Sequence, residues 1–161
     1  MTVPKYTVLR GERTEFVCLF WPDTDDPCTL IEGTDHFGVE DLTVYCSNYI
    51  HGIAGTLGQP DSGNTFLRRV RVRADMYRGH LKPAEVDARF RASLKRSTGG
   101  GDTVRLGGEN VEITDCDLYG SGRSLYLLRV RGARVTGNTL YNGRGGWYCR
   151  DGSDGLILEN N

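Results

Sequence analysis

What this chain has little of narrows the reading first. It holds no apolar run of the ~20 residues that a membrane-spanning helix needs, so no membrane is an expected partner. Its formal net charge is −1. The whole chain therefore has no general attraction to nucleic acid or to an anionic membrane, and nucleic acid is not an expected partner either. The first residues, Met1 to Tyr6, lack the apolar core of a signal peptide; either the protein is not exported or a leader is missing. There is no C-x-x-C pair. The five cysteines, Cys18, Cys28, Cys46, Cys116 and Cys149, are odd in number and lack metal-type spacing. They read as free thiols used as small buried residues, with a Cys18–Cys28 disulfide as the alternative. No metal site and no cofactor is expected. Asp23, Asp25 and Asp26 are candidate oxygen ligands for calcium, but lack the full ligand spacing of a known loop.

What the chain has in quantity is glycine, 22 of 161 residues, about twice the usual share, and a repeat. Val111–Tyr119, Ala133–Tyr141 and Gly155–Asn161 follow one template. Ile113, Val135 and Ile157 are 22 apart, as are Cys116, Asn138 and Asn160. A fixed period in this range means stacked units that cannot bury their apolar face alone. Each unit alternates apolar and polar residues briefly and then breaks at Gly or Asn, the period of short strands. Upstream, Val44 and Val72 are set over Ile113, giving an expected interior column of Val44, Val72, Ile113, Val135 and Ile157. A second column, Ser47, Asp75, Cys116, Asn138 and Asn160, is small and polar, and suits a ladder at a sharp bend.

Two surplus segments interrupt the period. One is a loop insert over 52–63. The other spans 78–102, where Val86, Phe90 and Leu94 are four apart and Pro83 suits a first turn, which predicts one short helix over Pro83–Arg96. Both are expected to leave the same corner of the stack. The fold class expected is all-β: a parallel β-helix solenoid with coils of ~22 residues, forming a single domain over 1–161. Leu156–Asn161 carries no capping repeat, so a fragment of a longer chain, or end-to-end association through the last coil, is expected.

Leu125-Tyr-Leu and Ala133-Arg-Val135-Thr-Gly-Asn138-Thr-Leu-Tyr resemble the right-handed parallel β-helix repeat of pectate-lyase-like proteins, and Val8-Leu9-Arg10-Gly11-Glu12 resembles their opening coil. The resemblance implies three strands per coil, the first being Val104–Leu106, Leu125–Leu127 and Trp147–Cys149, and the second Val111–Thr114, Ala133–Thr136 and Gly155–Leu158. It implies a carbohydrate-active protein, a polysaccharide lyase or glycoside hydrolase, with a polysaccharide substrate. For a full-length parent it implies an extracellular or periplasmic location. The alternative is a non-catalytic glycan-binding, adhesin or tailspike segment. The Asn-Thr-Asp, Asp-Asp and Arg-Ile-Lys motifs of polygalacturonases are absent, and His51-Gly52 stands alone, so no catalytic residue is carried over.

Substrates in that family lie along the first-strand face. By alternation Arg105, Tyr126 and Tyr148 point outward there, in line, with Arg150 and Asp151 at the strand's end. Aromatic and guanidinium groups suit sugar rings and carboxylates. Arg105, Tyr148, Arg150 and Asp151 are the candidate catalytic residues, and Tyr126, His80 and Lys82 the candidate substrate-binding ones. The same row also reads as a stabilising cross-strand ladder. Charge is segregated too: seven acids and no Lys or Arg over 23–48, eleven Lys/Arg against four acids over 64–105. That fits an acidic glycan, or a solvated outer face. Hydrolysis needs two carboxylates across a bond; Asp151 with Asp75 or Asp117 is a poor pair, since the latter two fall at another bend.

Overall fold

The structure is a computed structural model that describes residues 1–21, 28–46, 49–55, 63–74, 84, 102–120, 122–142 and 145–161. Its strands, numbered in chain order, fall into three parallel sheets. The first holds β1 (Thr2–Val3), β4 (Thr29–Gly33), β7 (His51–Ala54), β10 (Asp102–Glu109), β13 (Arg123–Arg131) and β16 (Gly145–Arg150). The second holds β2 (Thr7–Arg10), β5 (Phe37–Glu40), β8 (Phe66–Arg68), β11 (Glu112–Thr114), β14 (Arg134–Thr136) and β17 (Ile157–Glu159). The third holds β3 (Cys18–Phe20), β6 (Thr43–Cys46), β9 (Arg71–Ala74), β12 (Asp117–Gly120) and β15 (Thr139–Asn142). The chain visits first, second and third sheet in unbroken rotation, and each strand pairs with the strand three places on.

The alternation that marks these segments as strands also fills one core, because side chains on one face of a strand recur every second residue. Ile31, Ile53, Val104 and Leu125 from the first sheet, Val39, Leu67, Ile113 and Val135 from the second, and Val44, Val72 and Leu118 from the third are all closed to solvent and belong to one cluster. Ile157 and Leu158 stay partly exposed on β17, an outermost strand of its sheet.

The expected interior column splits in two. Ile113 and Val135 pair with Leu67 and Leu158, in the second sheet. Val44 and Val72 pair with each other and with Leu118, in the third. Both columns carry the same apolar–polar alternation, so pattern alone did not distinguish them. At the C-terminal end the register also slips by one: Val135 meets Leu158, not Ile157.

Two bends set the circuit. The first is a column of left-handed residues, Tyr6, His36, Asn64, Asn110, Gly132 and Gly155, and the second is Asp41, Arg69, Asp115, Gly137 and Asn160. From His36 onward each first-bend residue is followed five residues later by its second-bend partner, so the segment that carries the second strand, three or four residues long, is bounded alike in those five circuits. Asn, Asp and Gly tolerate this conformation, which costs other residues ~1–2 kcal/mol. The polar ladder lies one residue past the second bend. Cys116 N–H donates to Asn138 Oδ1 (2.8 Å) and Asn138 Nδ2 to the Ile113 carbonyl (2.9 Å). Asn138 N–H and Nδ2 donate to Asn161 Oδ1 (3.1 and 2.8 Å). The ladder therefore runs through Asn161 and not Asn160. In the corresponding places upstream are Leu42 and Val70, whose carbonyls accept from Arg71 and Asp117. Ser47 and Asp75 lie outside the described residues.

Gly52–Ala54 is not loop but part of β7. The surplus that follows it, 56–62, joins the first sheet to the second, while 75–101 joins the third sheet to the first. The two inserts leave different corners, which corrects the expectation of one; setting Val44 one sheet too early displaced the corner with it. The helix expected over Pro83–Arg96 lies outside the described residues, Ala84 excepted.

Candidate functional site

The first strands fall in the register expected. Val104, Leu125 and Trp147 are opposite one another, as are Leu106, Leu127 and Cys149. Arg105, Tyr126 and Tyr148 therefore form one row across the outer face. The Tyr126 and Tyr148 rings stack with centroids 5.4 Å apart and planes 23° from parallel. Arg105 and Arg123 both reach the Tyr126 ring, their guanidinium carbons 4.8 and 4.4 Å from its centroid, and Arg123 is 5.4 Å from that of Tyr148. Cation–π contact of this kind stabilises by ~0.5–2 kcal/mol. Tyr126 is consequently only 6% exposed, while Tyr148 keeps 40%.

Below this row, at the start of the strands, lies a polar cluster. Asp102 is closed to solvent and takes a two-pronged hydrogen bond from Arg123, Nε to Oδ1 at 2.7 Å and Nη2 to Oδ2 at 3.2 Å. His51, opposite Asp102 on β7, is 3.2 Å from Arg105 Nη1 through Nε2. A guanidinium only donates, so Nε2 accepts and the imidazole proton sits on Nδ1, 3.8 Å from Asp102 Oδ2. Burial, then the charges of Arg105 and Arg123, lower the His51 pKa from 6.5 to about 4. His51 is neutral at pH 7. At the far end of the row Arg150 is exposed, with Asp151 3.5 Å away. The charges of Tyr148 and Asp151 raise its pKa.

In comparisons with known proteins, no family model, no curated protein and no solved structure matches this chain. Its chemistry has to be argued from its own side chains.

The structure brings Arg105, Tyr126, Tyr148, Arg150 and Asp151 to one face. His80 and Lys82 lie outside the described residues, as do Asp23, Asp25, Asp26 and Asp75. Asp117 is on the third sheet beside Arg71 and Arg73, a different sheet from Asp151, so the poor carboxylate pair stays apart. Sequence reasoning missed Asp102, Arg123 and His51. Once Val104 is set over Leu125, Asp102 falls over Arg123, so that pair was within reach. His51 was not: its register with Asp102 is hidden by the 75–101 segment.

The segregated charges meet across circuits. Arg69 grips Asp41 with two hydrogen bonds (2.6 and 2.8 Å), Arg68 grips Glu112 with two (2.8 Å each), and Arg10 pairs with Glu40. Among the described residues of the basic block, Arg68, Arg69, Arg71 and Arg73 thus stand against carboxylates of neighbouring circuits. An open cleft of about 360 Å³ at the second bend is lined by Arg13, Asp41, Arg69, Arg71 and Asp117 among others; Arg69 and Arg71 already pair with Asp41 and Asp117. Of the cysteines, all five are free; Cys46 and Cys116 are buried as expected, whereas Cys18 and Cys28 are exposed.

Proposed function

We propose that the chain is a right-handed parallel β-helix with coils of ~22 residues, lengthened by its two inserts, and that it acts on an acidic polysaccharide laid across the first sheet. The observation that carries this reading is the outer row of Arg105, Tyr126 and Tyr148, ending at Arg150. Aromatic faces take the apolar side of a sugar ring, and guanidinium takes a uronate carboxylate in two-pronged fashion.

Between the two chemistries, lyase is favoured. Hydrolysis needs two available carboxylates flanking the bond, and on this face Asp102 is engaged by Arg123 and Asp151 neighbours Arg150. Elimination needs a cation on the uronate carboxylate and a group to remove the C5 proton, after which the C4–O bond breaks and a C4–C5 double bond forms. Arg105 and Arg150 serve as the cations, with Asp151 holding Arg150; the exposed Tyr148 oxygen, as phenolate, takes the C5 proton and, as phenol, returns it to the departing O4.

The second reading is a non-catalytic glycan-binding, adhesin or tailspike-type segment. It draws on the burial of Tyr126, because guanidinium groups already stacked on a ring leave less of it for a sugar. A cleavage assay over uronate and neutral polymers separates the two. Unsaturated uronate ends produced by the native chain, and lost in a folded Arg105→Gln, Tyr148→Phe, Arg150→Gln variant, are the enzyme result. Binding without cleavage of any polymer is the binder result.

A further inference from the structure

Among the described residues, three guanidinium groups, those of Arg105, Arg123 and Arg150, approach the Tyr126–Tyr148 pair, but carboxylates accompany only two. Asp102 is spent on Arg123 and Asp151 stands beside Arg150. Arg105, half-buried, has no carboxylate partner among the described residues. Its Nε is shielded from solvent and has no hydrogen-bond partner there. One of its other nitrogens is held by neutral His51. A half-buried cation left with a neutral partner is an unfavourable arrangement that a bound anion relieves.

We propose that Arg105 is the seat of an anion site for a carboxylate or sulfate group carried on a sugar, and that filling it is coupled to proton uptake by His51. The proposal rests on the glycan reading above and deepens it. An anion that takes the Arg105 guanidinium draws Nη1 away from His51 and frees the Nε2 lone pair. The same anion offsets the positive potential that, with burial, disfavours the imidazolium. The groups facing His51 fit this. From β10 come Asp102 and Arg105, from β13 comes Arg123, and opposite on β4 stands Thr29, which does not titrate in this range. Once protonated, Nδ1–H still faces Asp102 and Nε2–H faces the ligand.

The sign follows from linkage. Free His51 titrates at about 4. If the bound state titrates higher, binding takes up a proton between the two values and strengthens as pH falls through them. The test is the nuclear magnetic resonance titration of the His51 imidazole, assigned by its absence in His51→Gln. It is run free and saturated with a uronate trisaccharide, a sulfated trisaccharide and a neutral trisaccharide. The expected result is an upward move of about one pKa unit, a tenfold coupling, with one or both anionic sugars and none with the neutral one. The uronate and sulfated arms tell which oxyanion the site takes. Arg105→Gln is expected to raise the midpoint of the free protein and to remove the response. A uronate or sulfated sugar that binds while His51 stays unmoved overturns the coupling and leaves the glycan reading standing. Failure of all three sugars to bind overturns both.

Discussion

At the scale of single residues, the side chains around Tyr126 form one connected set, with Arg105 and Arg123 over its ring and His51 against Arg105. Arg105, Tyr126 and Tyr148 were readable because they alternate with Leu106, Leu125 and Leu127. His51 was not, since nothing adjacent to it in the sequence carries its partners. Its lowered pKa has a consequence for stability. Above pH 6.5 neither state protonates it. Between 6.5 and about 4 the unfolded chain binds a proton that the folded chain refuses, so folding weakens as pH falls across that window. Asp35, Asp41 and Glu112, held low by hydrogen bonds from Lys5, Arg69 and Arg68, add a loss of the same sign at lower pH. Urea unfolding at pH 7 and pH 5 is expected to show a smaller pH dependence in His51→Gln than in the parent; an equal dependence contradicts the assignment. The thiols give a second check. Burial pushes Cys116 up to about 12, whereas Cys18 and Cys28 are exposed. Mass spectrometry after brief alkylation of the native protein is expected to find Cys18 and Cys28 modified and Cys116 untouched until unfolding.

At the scale of elements, the bends are the regulated parts. The five-residue spacing between them holds in the five circuits from His36 onward although the inserts differ in length, because left-handed residues at both ends bound the segment that carries the second strand there. Gly137 has φ of 68°, and a Cβ there meets Asp115 Oδ1 at 2.5 Å. Gly137→Ala is therefore expected to destabilise by about 1–2 kcal/mol in urea titration, and no change contradicts a strained bend. Asn138→Ala leaves Cys116 N–H and the Ile113 carbonyl without their side-chain partner. A loss of about 1–3 kcal/mol is expected. The sequence pointed to a polar ladder at this bend but placed its last rung at Asn160. The structure puts it at Asn161, because the C-terminal circuit is one residue longer and small polar residues occupy both positions.

At the scale of the whole molecule, three parallel sheets around one apolar cluster were legible from period and alternation, and the assignment of early strands to sheets was not. Val44 and Val72 satisfy the pattern of either the second or the third sheet, and only the position of the inserts distinguishes them. Leu118, closed to solvent between Val72 and Leu140, is expected to cost about 2–5 kcal/mol on replacement by Ala. The proposed site is tied to this scale, since no single circuit supplies it: β10, β13 and β16 contribute Arg105, Tyr126 and Tyr148 to one outer face, and β7 brings His51 against Arg105. The most direct measurement is binding of the intact chain to an array of acidic and neutral polysaccharides, repeated with Arg105→Gln. Retention of one or more acidic polysaccharides, weakened about tenfold or more by the substitution, is the expected result. Retention of none, or retention that Arg105→Gln leaves unchanged, contradicts a glycan site on the first sheet.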